Sequence, residues 1–149
     1  MATLKTWVVV ADGAHAAIYA SAGPGKGLDE PAVKEFVGNS HSTREINADR
    51  PGRSFDSVGG GRHAMEPHTD AHRHAQQVLA RDIADFLDAA AQRGDYGRLV
   101  VAAPPRTLGD LRSELSAKVQ AKLAGDLAKD LMHVEARDLP AHFVDIVKL

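Results

Sequence analysis

The stretch WVVVADGAHAAIYA, Trp7 to Ala20, decides the fold. Trp7 to Ala11 is an unbroken apolar run with three valines, the pattern of a strand buried on both faces. Asp12-Gly13 follows it, a pair that favours the tight turn of a hairpin. Ala14 to Ala20, containing Ile18 and Tyr19, is then the returning strand.

Outward from this hairpin, Ser21 to Pro31 reads as a loop rich in glycine and proline. Val33 to Val37 alternates weakly and predicts a third strand, ended by Gly38 and Asn39. Leu79, Ile83, Phe86, Leu87 and Ala90 recur at spacings of three and four, which predicts a helix from Thr69 or Asp70 to about Gln92. Pro67 stops any earlier helix in this reading, and Gly94 supplies the C-terminal stop. Arg98 to Ala103 (RLVVAA) is the second buried strand, terminated by Pro104 and Pro105.

Leu111, Leu115, Val119 and Leu123 fall at steps of four. They predict one helix over 108–122, capped by Thr107 with Asp110 as a short capping-box partner. A strand from Leu123 to Ala128 follows. A last helix is expected after Asp138 as cap, with Pro140 in its first turn and Leu139, Phe143 and Ile146 inward. The expected class is α/β: one domain over residues 1–149, a mixed sheet flanked by helices, in the order βββ-loop-αβαβα. Val8 to Val10 and Leu99 to Val101 are its central strands, and Phe86 and Leu115 are expected to be fully buried.

Composition narrows the function. Hydrophobic residues make up 44% and charged residues 26% of 149 residues, so the chain is long and apolar enough for a real core. Net charge is -2, so nucleic acid is not attracted in bulk and any such binding needs a local patch. There are no cysteines, which excludes disulfides and thiolate metal sites. The N-terminal apolar run is too short for a signal sequence and no window reaches a membrane span. A cytoplasmic location and no membrane partner are the expectation.

Between the third strand and the long helix, Asn39 to about Thr69 reads as a long Gly/Arg-rich loop. Its arginines are Arg44, Arg50, Arg53 and Arg62, set against Glu45, Asp49, Asp56 and Glu66. Gly59, Gly60 and Gly61 are followed by Arg62 and His63. Gly59, Gly61 and Ala64 match G-x-G-x-x-A, but no strong strand precedes them and Pro67 interrupts the helix that the dinucleotide motif needs. A P-loop is excluded because Arg62-His63 stands where Gly-Lys belongs.

Other chemistry is weaker still. His68, Asp70, His72 and His74 cluster in sequence. On a helix His72 and His74 point to different faces, so a solvated helix N-terminus is the preferred reading and no metal is expected. Asp12 resembles the strand-end carboxylate of ribonuclease H-type nucleases, yet two-metal chemistry needs several such groups and a turn role suits Asp12 better. No G-x-S-x-G elbow occurs, and no cofactor is expected.

Several runs carry a family resemblance: WVVVADGAHAAIY, DRPGRSFDSVGGGRHAMEP (Asp49 to Pro67), LVVAAPPRTLGDLR (Leu99 to Arg112) and KDL (Lys129 to Leu131). They resemble the bacterial host-attachment proteins. That family in turn is similar to the middle domain of archaeal and eukaryotic peptide release factors and of Pelota. The resemblance implies a ribonuclease H-like mixed sheet with a loop between an early strand and a long helix. In release factors the loop carries Gly-Gly-Gln. Here Gly59 to His63 occupies that place without the glutamine, which argues against peptide release.

The resulting expectation is a non-enzymatic binding module that contacts ribosomal or other structured RNA. Its expected binding residues are Arg50, Arg53, Gly59, Gly60, Gly61, Arg62, His63, Arg106 and Arg112. Loops meet ligands at strand ends in open α/β sheets, and arginines there suit phosphate. The competing reading of the same arginines is pairing with Asp49, Asp56, Glu66 and Asp110. The alternative function is support of host-cell attachment through protein–protein contacts. A hydrolase or nuclease ranks third.

Overall fold

The computed structural model describes residues 5–38 and 57–149, the side chains of 57–69 excepted. Strands β1 (Thr6–Ala11), β2 (His15–Ala20), β3 (Lys34–Val37), β4 (Arg98–Ala102) and β5 (Leu123–Leu127) form one sheet in the order β3-β2-β1-β4-β5. The pairs β3-β2 and β2-β1 are antiparallel, and β1-β4 and β4-β5 are parallel. The valine runs stand side by side, Val8 opposite Val100 and Val9 opposite Val101, as their two-sided burial requires. The C-terminal ends of β1, β3, β4 and β5 therefore share one edge.

The period of two along β1 divides the core. Trp7, Val9 and Ala11 face the helices, packing with Leu79, Ile83, Leu87, Leu108, Leu111, Leu115 and Val119. Val8 and Val10 face the C-terminal segment, packing with Leu131, Leu139, Phe143 and Val147. The helical face is covered by α1 (Ser57–Arg93), α2 (Pro105–Glu114) and the short α3 (Ala117–Gln120). A 3-10 helix, Ala136–Phe143, lies over the other.

The expected helix start at Thr69 or Asp70 is wrong: α1 begins at Ser57, and Gly59 to His63 lie in its first turns, not in a loop. Three glycines cost about 1 kcal/mol each in a helix, and Pro67 about 3 kcal/mol. Extension from an already packed helix adds a hydrogen bond per residue without a new nucleus, however. Local breakers are outvoted by the anchored half from Ala75 onward. At the other end Gly94 stops the helix as expected, with φ +78°. Its N–H donates to the Ala91 carbonyl and that of Asp95 to the Ala90 carbonyl, the paired bonds of a Schellman close.

Three further expectations need correction. Thr107 is not a cap: α2 starts at Pro105 after Pro104, and Thr107 is buried inside it. Proline in the first turn forfeits only a donor that had no partner. The helix expected over 108–122 is broken at Leu115, whose backbone is extended. Ser116 then caps α3, accepting from the Val119 N–H at 3.2 Å and donating to Asp88 Oδ1 at 2.7 Å. Leu111, Leu115 and Val119 are nevertheless all buried. The final helix is 3-10, capped at Glu135 instead of Asp138, with Leu139 and Phe143 inward as expected.

Phe86 is half-buried, not fully buried. It stacks on Trp7 at 6.1 Å and meets Phe36 edge-on at 5.9 Å, with the Lys34 ammonium 6.0 Å from its ring. Trp7 stacks in turn on Tyr96 at 4.7 Å, and the Tyr96 hydroxyl donates to the Leu87 carbonyl at 2.8 Å. Burial, aided by the Asp88 charge, pushes the Tyr96 phenol from 10.0 up to about 12. The folded state thus holds this proton more tightly than the unfolded chain. Its stabilisation is intact below about pH 10 and is lost as pH rises toward about 12, by about 2–3 kcal/mol. Denaturant unfolding of the native chain and Tyr96→Phe should diverge in pH slope above about pH 10. Equal slopes would contradict the assignment.

Candidate functional site

The edge of the sheet where β1, β3, β4 and β5 end is the place the arginines were expected to meet. The β1-β2 turn sits there. Asp12 Oδ1 accepts the Ala14 and His15 N–H groups at 2.9 and 2.7 Å, and the Asp12 N–H donates to the His15 carbonyl. Its carboxylate is thus used in the turn. The central residues are Gly13 and Ala14, with Gly13 at φ +96°. A Cβ on Gly13 would lie 3.2 Å from Thr107 Oγ1 and 3.5 Å from Gln76 Nε2, so the turn nests between α2 and α1.

Helix α1 passes over the same edge. A helix of 37 residues rises about 55 Å, whereas strands of five or six residues span under about 20 Å. Ala75 is the first residue of α1 whose described side chain is buried; Asp70, Ala71, His72 and His74 are exposed. The stretch from Ser57 to His74 adds roughly 27 Å of helix ahead of Ala75. Its first turn holds no acidic residue.

Arg50 and Arg53, with Asp49 and Asp56, lie outside the described residues. Gly59, Gly60, Gly61, Arg62 and His63 are in the first turns of α1; the side chains of Arg62, His63, Glu66 and His68 lie outside the description. Arg106 is exposed in the first turn of α2. Arg112 is exposed but paired, its Nη2 2.6 Å from Asp126 Oδ2 on β5. It ties α2 to the sheet through Asp126, a carboxylate outside the set expected for pairing.

Asp110, offered above as a partner for those arginines, belongs to Arg73. The two make a fork, Nη1 to Oδ2 and Nη2 to Oδ1, each at 2.6 Å. The hydrogen bonds that Arg73 donates to Asp110 raise its already high pKa further. This bidentate pair joins α1 to α2 just where α1 leaves the core. Sequence reading missed Arg73 because its partner is 37 residues away and no local spacing links them. Among the described residues no group of three His, Asp or Glu is arranged to hold a metal, and no helix is long and apolar enough to cross a membrane.

A five-stranded mixed sheet with helices on one face and a 3-10 segment on the other defines an α/β protein. The chain belongs to the family described as "Protein required for attachment to host cells", which matches residues 7–143. Among solved structures, the archaeal translation termination factor aRF1 is similar at 15% identity and a TM-score of 0.46, over 82% of this chain. The match covers 29% of that protein, so the chain spans less than a third of its length. Comparison with curated proteins gave no match.

Proposed function

We propose that this chain is a non-enzymatic, cytoplasmic binding module that contacts structured RNA, such as ribosomal RNA, through the start of α1. The observation that carries the reading is the length of α1: the helix starts at Ser57, well ahead of Ala75, the first of its described side chains that is buried. Gly59 to Gly61 give nearly a full turn without side chains, which permits close backbone approach. Arg62 and His63 follow directly. The helix N-terminus adds a favourable dipole for phosphate, and no acidic side chain in the first turn opposes it. Arg50, Arg53 and Arg106 complete the candidate set, and Arg112, held by Asp126, becomes a secondary member. With net charge -2, affinity rests on this local patch.

Arg62→Ala tests it in two measurements. On this reading Arg62 serves binding and not packing, so the thermal midpoint should stay within a few degrees, a stability change of about 0.5 kcal/mol. RNA affinity should fall, and the slope of log affinity against log salt should drop by about one unit. A stability loss of about 3 kcal/mol with unchanged RNA or ribosome co-sedimentation would reject the reading. The family's description favours a second one, attachment to host cells through protein–protein contact. Under it, the same variant would lose binding to host cells while RNA association is absent from both forms.

A further inference from the structure

The opposite edge of the sheet, where β1 and β4 begin and β2 ends, carries a concavity of about 320 Å³. Its charged lining side chains are Lys5, Lys26, Arg98 and Lys148, with no Asp or Glu among them. In sequence the four are scattered, and nothing in their spacing suggests a cluster. The sheet assembles them: Lys5 precedes β1, Arg98 opens β4 beside Thr6, and Lys26 and Lys148 come from the loop after β2 and the chain's last residues.

This edge gathers in one place cations without a carboxylate partner, as Arg106, Lys118 and Lys129 are singly elsewhere among the described residues. Arg73, Arg81, Arg93, Arg112 and Arg137 each sit within 4 Å of a carboxylate. The four cations of the concavity enter no such pair with a described residue. Their scaffold is also fixed. The Ala22 N–H donates to the Gly27 carbonyl at 2.8 Å, Lys26 to Gly23 at 2.9 Å, and Gly27 to Leu149 at 3.0 Å. The lysine stems lie against these glycines. A Cβ on Gly23 would lie 3.3 Å from Lys26 Cδ, and one on Gly25 3.5 Å from Lys148 Cε.

Four like charges around one concavity repel one another, in a chain whose net charge is negative. A bound dianion removes that repulsion, and phosphate offers oxygens for both an arginine fork and lysine point charges. The volume lies at the small end of ligand sites, which run from about 300 to about 1,000 Å³. We propose that this concavity binds the terminal phosphate or diphosphate group of a small phosphorylated ligand. The site is separate from the RNA contact proposed above, at the other end of the strands.

Inorganic pyrophosphate is the probe, titrated calorimetrically into the full chain at about 50 mM salt, where screening is weak. The expected result is one saturable site. Lys26→Ala and Lys148→Ala, both on exposed residues, should each weaken it about tenfold, the loss of one charge-assisted contact. Lys129→Ala, exposed beyond the far end of β5, should leave affinity unchanged. No saturation by about 10 mM, or an equal loss in the Lys129 variant, would overturn the proposal. So would an RNA oligonucleotide without terminal phosphates that binds tighter than pyrophosphate and depends on the same two lysines, because the site would then read a nucleic-acid backbone.

Discussion

Phe143→Ala should lower the unfolding free energy by about 3–5 kcal/mol, the cost of emptying a fully buried aromatic site. Phe143 is 0% exposed and heads the largest fully buried side chains. It packs in the cluster of Val8, Val10, Val100, Ala102, Leu131 and Leu139. The 3-10 helix that carries it has poor intrinsic stability, so its docking depends on such contacts. The chain leaves β5 close beneath it: a Cβ on Gly125 would lie 2.7 Å from Ile146 Cγ2. Little slack exists to collapse into the cavity. Against a typical total of about 5–15 kcal/mol, the loss is a large fraction. Urea unfolding checks it, and a change below about 1 kcal/mol would show that this face of the sheet is not closed by the C-terminal segment.

Leu115→Ala should cost about 2–5 kcal/mol. Leu115 is 5% exposed and packs with the helical cluster on the opposite face. Its backbone is extended at the close of α2, yet its N–H still donates to the Leu111 carbonyl at 2.9 Å. The side chain therefore stays on the stripe of Leu111 and Val119 although the helix is interrupted. Denaturant unfolding measures the loss, and a value below about 0.5 kcal/mol would place Leu115 outside the core. Since Phe143 and Leu115 sit on different faces of the sheet, the double variant should show nearly the sum of the two losses.

Strand and turn positions were readable because their signals are local. Trp7 to Ala11 and Arg98 to Ala102 are strands, the hairpin turns one residue later than expected, at Gly13-Ala14, and Gly94 ends α1. Apolar periodicity likewise found the faces of Leu79, Ile83, Leu87, Leu111 and Val119. What failed were places where two local signals conflict. Gly59 to Gly61 and Pro67 speak against helix, but α1 runs through them because its other half is anchored. Thr107 and Pro105 both mark a helix start, and the proline position prevails. An unbroken spacing of four hid the stop at Leu115, because Ser116 finds Asp88 on α1, which no local pattern displays.

Charge pairing was least legible of all. By its residue order alone, this chain determines its buried strands, its hairpin and the apolar faces of its helices, since each follows from contacts or periodicities within a few residues. Only the tertiary structure decides that Asp110 meets Arg73 and Arg112 meets Asp126. It alone leaves Lys5, Lys26, Arg98 and Lys148 together around one concavity. The reason is geometric: parallel pairing of β1 with β4 places residues from distant segments on one edge. Coulomb energy depends on those through-space distances and not on separation along the chain.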